Sequence, residues 1–393
     1  MFSKKYKICF VSGTRADYSL LLPLMSLVKK DKNFIFQLII TGTHLSRKYG
    51  YTIKEIKKDN FKVNYKVKIL NDESDSSISV INSTSNALIK IGKCFKRLKP
   101  DLVILLGDRY EIFASAIAAN FLRIPIAHFH GGEVTEAVID ESLRHSLTKM
   151  SSIHFVSNEK YRKRVIQLGE NPKNVFNVGA MGIDSIKNTN LKTKTKLQKD
   201  LGIKFKKNIF LITFHPVTLE NNTSKIQFQN IIRALEKFDN TSFIFTAPNA
   251  DMMSNPIFSL IDHFVLRNNN ASFIKSLGRI NYYSLLKHTS VVLGNSSSGV
   301  IEAPYFKVPV VDIGDRQKGR VKAKNIINCT SNEKEIYLSI NLALSKEFRK
   351  KFKKSKGLFG SGNASKKFIT IIKNRIHKLE VKKSFYDINF SYE

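Results

Sequence analysis

The chain has 393 residues and a formal net charge of +33, from 65 Lys and Arg against 32 Asp and Glu. Hydrophobic residues make up 42% and aromatics 10%, enough for a core in each half, which excludes a disordered or fibrous chain and points to two domains. The basic excess suits a polyanionic partner or an acidic ligand, but it is mostly lysine spread through helix-like segments, so no dedicated nucleic-acid binding is expected.

Apolar runs alternate with helix-length amphipathic stretches. Lys7–Val11 is a strand-like run that ends in Ser12-Gly13-Thr14, and Leu20, Leu21, Leu24 and Val28 follow at helical spacing. Phe36–Gly42, Asp101–Asp108, Ile124–Gly132, Ile153–Ser157 and Val175–Gly179 read as further strands. The pattern then restarts with Asn208–Pro216, Ser242–Asn249, Ala271–Leu277, Ser290–Ser297 and Val308–Arg316. Near-continuous Val/Ile/Leu runs indicate strands covered on both faces. The expected fold class is therefore α/β, with two doubly wound, Rossmann-like parallel sheets.

Lys187 to Lys207 is polar, basic and strandless, the best linker. The expected division is residues 1–186 for a first domain, 187–362 for a second, and 363–393 for a final helix and tail. That helix carries Phe368, Ile371, Ile372 and Ile376 on one face. Cys9, Cys94 and Cys329 have no paired spacing and read as reduced thiols. The first twenty-five residues lack a continuous apolar signal core, because Ser12 to Asp17 interrupts it, and Asn120 and Arg123 break the longest weakly polar stretch, Ile112 to Ala127. A cytoplasmic protein without stable membrane insertion is expected.

In parallel sheets, ligands bind outside the carboxyl ends of the strands. The polar residues of interest lie there. Ser12 to Ser19 opens the first helix, and its N-terminus with Arg15 suits an anion such as a diphosphate; the alternative is a plain turn with a surface Arg. Gly107-Asp108-Arg109 reads as a salt bridge or as an acid/base group with a charge partner. Strand alternation places His128 and His130 on one face, before Gly131, Gly132 and Glu133. Asp140 and Arg144 share a helix face farther on. No H-E-x-x-H spacing occurs, so acid/base work is expected here and no metal site.

In the second half, His215 ends a strand and is placed to contact a phosphate. Gly294 to Gly299 is a Gly/Ser loop whose hydroxyls and N–H groups suit phosphate, with an N-cap turn as the alternative. Glu302, one turn into the next helix, suits ribose hydroxyls.

Together, SGTRADYS, TGTHLS, LGDRYE, HGGE, DESLRHSLTKMS, FHPVT, PNAD, GNSSSGVIEAP and DIGDRQKGR resemble, in order along the chain, the hydrolysing UDP-N-acetylglucosamine 2-epimerases of bacterial sialic-acid synthesis. The resemblance implies a GT-B-like pair of domains with a C-terminal crossover helix. It implies elimination of UDP through a 2-acetamidoglucal and addition of water with inversion at C2, giving N-acetylmannosamine and UDP without a cofactor. It also implies a homodimer or homotetramer. By position, it assigns Arg15 and His215 to the diphosphate, Ser296 and Ser297 to phosphate oxygens, Glu302 to the ribose and the Leu277 backbone to the base. Arg316 and Asn249 line the same pocket, Ser19 and Arg109 stand near the sugar, and His44 counts among the substrate-binding positions. Asp108 and Asp140 match catalytic carboxylates, and Arg144 supports the leaving diphosphate or orients Asp140.

One position departs from the family pattern. Many members carry a catalytic Glu where this chain has His130, so His130 is expected to move the second proton, with Glu133 as the substitute. Three alternatives stay open: the same reaction on UDP-N,N'-diacetylbacillosamine, a non-hydrolysing epimerase, and a GT-B glycosyltransferase.

Overall fold

The computed structural model describes residues 4–70, 76–136, 138–217, 223–248, 255–353 and 357–389. Among these, the first half supplies β1 (Tyr6–Ser12), β2 (Phe34–Ile40), β3 (Tyr65–Lys66), β4 (Leu102–Leu106), β5 (Ile126–Phe129), β6 (Ile153–Val156) and β7 (Val175–Asn177). They form one sheet in the order β3-β2-β1-β4-β5-β6-β7, all pairs parallel. The second half supplies β8 (Asn208–Thr213), β9 (Thr241–Thr246), β10 (Ala271–Ile274), β11 (Val291–Gly294), β12 (Val310–Ile313) and β13 (Ile326–Cys329). Their order is β10-β9-β8-β11-β12-β13, again all parallel. Strand order reverses beside β1 and beside β8, which opens a crevice at the carboxyl end of each sheet.

The central strands are apolar on both faces because helices cover both faces. β4 is buried along its whole length, from Leu102 to Leu106. The structure is a doubly wound pair of parallel sheets, the fold class that the alternating runs indicate. β3 and β13 are edge strands that the apolar pattern does not announce. The segment read as a linker also holds a helix, Lys194–Leu201, whose Leu197 is fully buried in a core of the second lobe.

The helix Ala364–Arg375 returns to the first lobe and packs against the helix Arg15–Lys30. Phe368 and Ile372 are fully buried, and the Phe368 ring lies 4.8 Å from Phe155 and 5.4 Å from Phe129, centroid to centroid. Burying such side chains contributes about 1.5–3 kcal/mol each. Asp184 Oδ2 accepts a 2.9 Å hydrogen bond from the backbone N–H of Ser365, so the start of this helix is tied to the segment between the sheets. No helix among the described residues is long and apolar enough to cross a membrane.

Candidate active site

The site begins where β1 meets its helix. Thr14 caps the helix, and the Asp17 carboxylate accepts from the N–H groups of Gly13 and Thr14 at 2.8 and 3.0 Å and from Ser12 Oγ at 2.8 Å. Gly13 is required: a Cβ there would stand 2.4 Å from Glu111 Oε1. This fixed turn presents Arg15, half-buried, with Nη1 buried and lacking a hydrogen-bond partner. Burial pulls the Arg15 pKa down, against Glu55, Tyr282 and Tyr283, which pull it up.

One turn on, Ser19 lines the same cavity. Pro23 lacks the N–H that would bond the Ser19 carbonyl, and Ser185 Oγ donates to that carbonyl instead, at 2.7 Å. His44 does not reach the cavity wall. It is fully buried beneath the turn, between Ser12 Oγ at 2.9 Å and Thr52 Oγ1 at 2.8 Å, and burial drives its pKa down to about 3. A neutral imidazole there props the loop.

Asp108 follows β4 through Gly107, and its Oδ2 receives Arg144 Nε at 2.6 Å and Nη2 at 2.5 Å. Arg144 is 1% exposed. It also donates to Glu141 at 2.6 Å, to Thr135 Oγ1 at 2.8 Å and to the Glu133 carbonyl at 2.9 Å. Burial lowers its pKa, but Asp108, Glu133 and Glu141 outweigh that and raise it. Through these contacts Arg144 holds the Asp108 carboxylate. Arg109 lines the cavity with its Nε 2.9 Å from Glu111. Asp140 opens the helix Asp140–Met150 and lines the same wall.

His128 and His130 do not share a face. β5 ends at Phe129, and His130 adopts a left-handed φ of +67°, so the alternation stops there. His128 is fully buried with Nε2 2.8 Å from the Gly107 carbonyl, and burial lowers its pKa to about 4. His130 is 7% exposed and lines the cavity. Its Nε2 accepts the Met181 N–H at 3.3 Å, which places the proton on Nδ1, 3.3 Å from Glu133 Oε1. Burial raises the Glu133 pKa, but Arg320 and His130 prevail and hold it at about 2.

In the second lobe, Asn295 clasps His215 through its backbone. Its Oδ1 accepts the His215 N–H at 2.7 Å, and its Nδ2 donates to the His215 carbonyl at 2.8 Å. The Asn295 carbonyl accepts from Gln317 at 2.8 Å and Arg316 at 3.2 Å. Ser296 caps the short helix Ser297–Ile301, and Glu302 stands at the end of that helix, not one turn into a longer one. Tyr282 donates to Ser298 Oγ at 2.6 Å and Tyr283 to Glu302 at 3.5 Å. Burial raises the Glu302 pKa. The Leu277 side chain is buried in the core, while its chain neighbours Ser276 and Gly278 line cavities. Asn249 lies outside the described residues.

Two adjoining cavities collect these groups. One, of about 170 Å³, is lined by Arg15, Ser19, His215, Ser296, Ser297, Glu302 and Arg316. The other, of about 160 Å³, is lined by Asp108, Arg109, His130, Glu133, Asp140 and Arg144. Ala16, Leu20, Ser297 and Arg316 line both, so the cavities meet where the first helix of one lobe faces a cation and a hydroxyl of the other. Residues not singled out from the sequence are Asn295, Arg279, Tyr282, Tyr283 and Arg320; Asn295 and Arg320 stand within the matching motifs, where their position was the available signal. Among the described residues, no group of three or more His, Cys, Asp and Glu could hold a metal ion.

Two lobes of parallel sheet, with one cavity lined by Arg15, His215, Ser296 and Arg316 and an adjoining one lined by Asp108, Asp140 and His130, define a GT-B-like protein. The chain belongs to the UDP-N-acetylglucosamine 2-epimerase family, whose profile matches residues 26–373. It is 43% identical over 330 residues to the GDP/UDP-N,N'-diacetylbacillosamine 2-epimerase (hydrolyzing) of Campylobacter jejuni, covering 84% of this chain and 85% of that one. It is 38% identical over 384 residues to the polysialic acid biosynthesis protein P7 of Escherichia coli, covering 97% of each. Among solved structures, a UDP-GlcNAc 2-epimerase from Neisseria meningitidis bound to UDP-GlcNAc has the same fold, with a TM-score of 0.79 at 21% identity, over 94% of this chain and all of that one.

Proposed function

We propose that the protein is a hydrolysing 2-epimerase that converts UDP-N-acetylglucosamine to N-acetylmannosamine and UDP. The observation that carries this reading is the junction of the two cavities at Ser297 and Arg316. A diphosphate at the junction puts the uridine against Glu302 and the second lobe, and the sugar against Asp108, Asp140 and His130. The division of labour follows: residues 1–186 carry the chemistry, residues 187–362 hold the nucleotide, and 363–393 fasten the first lobe.

The C2 proton of a 2-acetamido sugar is weakly acidic, so a positioned base must take it, an effect worth about 10²–10⁴-fold. Loss of that proton and of UDP leaves the C1–C2 double bond of a glycal. Arg15, His215 and Arg316 stabilise the negative charge that develops on the departing diphosphate. Water then adds at C1 and a proton returns to C2 from the opposite face. One acid/base group therefore has to stand on each side of the ring. Asp108 and Asp140 supply one side, and His130 takes the place of the family Glu.

A second reading differs only in the sugar. The 43% identity to the Campylobacter jejuni protein supports UDP-N,N'-diacetylbacillosamine as substrate. Incubation with each sugar nucleotide and no acceptor, with products identified by NMR, decides. Free N-acetylmannosamine from UDP-N-acetylglucosamine supports the first reading; turnover of the diacetylated sugar alone supports the second. A UDP-linked epimer, or no reaction with either, contradicts both.

A further inference from the structure

Arg320 is placed by the second lobe but spends its charge on the first. Its Nη2 lies 2.8 Å from Glu133 Oε2, with the Arg320 side chain 10% and the Glu133 side chain 2% exposed. Glu133 turns its other oxygen to Ser157 Oγ and His130 Nδ1, each at 3.3 Å. The same two loops meet again where the Glu136 N–H donates to the Lys318 carbonyl, and beside them the Val321 N–H donates to Tyr161 Oη on the first-lobe helix Glu159–Gln167. Hence the interlobe contact ends, through one carboxylate, on an imidazole in the wall of the acid/base cavity.

We propose that Arg320 is a positioning residue: by holding Glu133 from the opposite lobe, it fixes the His130 ring with Nδ1–H turned inward and Nε2 as the basic atom. A carboxylate on Nδ1–H selects this tautomer and supports the imidazolium that forms when Nε2 takes a proton. The Met181 N–H on Nε2, at 3.3 Å, is a long contact that a substrate proton can replace. The arrangement joins lobe closure to the readiness of the base and rests on the epimerase reading above.

Arg320→Gln tests it. The groups facing Glu133 are Arg320, His130, Arg144 and Tyr161. Without Arg320, burial pushes the Glu133 carboxyl upward, and a protonated Glu133 no longer holds Nδ1–H. The expected result is a kcat lower by about 10–100-fold, less than the 10²–10⁴-fold of an acid/base group itself because the base stays in place, with KM little changed and the acid limb of the pH profile moved to higher pH. Arg320→Lys, which keeps the charge, should restore much of the rate and the position of the limb. Lys318→Gln, on the exposed Lys318–Glu136 pair of the same loop, should leave both unchanged.

Nitrogen-15 imidazole spectra should show one His130 tautomer in the wild type and a mixture in Arg320→Gln. An unchanged pH profile and tautomer in a folded Arg320→Gln protein would overturn the proposal. So would equal losses in the Gln and Lys variants. If the wild type releases no free sugar, the epimerase reading fails instead, and the spectra still decide the role of Arg320.

Discussion

The two walls of the cleft are built on different principles. On the first lobe, the functional side chains bind one another: Arg144 grips Asp108 and Glu141, and Glu133 holds His130 under Arg320. On the second lobe, the functional groups are held by main-chain contacts and neutral donors, as Asn295 holds His215, and Thr213 and Thr246 share a 2.5 Å hydrogen bond at the cavity wall. In the reaction proposed above, chemistry on the sugar demands acid and base groups in set orientations, which a charge network would supply, and binding a nucleotide demands shape and donors, which backbone clasps would supply with few charges to desolvate.

Substitutions on each wall can break or sharpen this contrast. Asp108→Asn should give the largest effect, a loss of about 10²–10⁴-fold in kcat with UDP affinity within a few-fold of wild type, checked by turnover and by titration calorimetry. A near-normal rate would remove Asp108 from the chemistry. Arg144→Met comes next. It leaves Asp108 and Glu141 facing an apolar side chain, and the denaturant midpoint should report a loss of about 3 kcal/mol. Asn295→Ala should weaken UDP binding by about 10-fold, by freeing one buried N–H and one buried C=O of His215, while kcat at saturating substrate falls less. An equal fall in kcat would erase the distinction between the walls.

The smallest effect is one of pH. His44 and His128 sit at about 3 and 4 against an ordinary 6.5, so the unfolded chain binds more protons than the folded one below pH 6.5. Stability must therefore fall as pH drops through that window. Asp17, raised by burial to about 6 from 3.8, acts in the opposite sense. The net loss between pH 7.5 and 5.5 should be on the order of 1 kcal/mol, measured from denaturant midpoints. Below pH 4.5, Glu133 and Glu141, both held at about 2, add to the loss.

Much of this architecture can be read from residue order, and the exceptions have physical causes. β4 and β8 stand out because central strands of a parallel sheet are apolar on both faces. β3 is two residues long, and β13 is an edge strand flanked by polar residues, so neither leaves a strong pattern. Leu197 is a lone buried apolar residue in a charged helix, which makes that segment look like a linker. Asp108 and His215 follow strands where ligands gather, and both line the cavities. Arg320 and Asn295 are not legible in residue order, since their work depends on partners brought close by the tertiary fold. The failed alternation at His130 has the same source: its left-handed backbone ends the strand at Phe129, three residues short of the expected Gly132.

The central claim is proton abstraction at C2 followed by loss of UDP and hydration. Turnover of the wild type in D2O, followed by proton NMR, tests it most directly. The account predicts free 2-acetamido sugar, inverted at C2, that carries one deuterium on that carbon. Release of sugar that keeps its original C2 proton, or return of the epimer still joined to UDP, would contradict it.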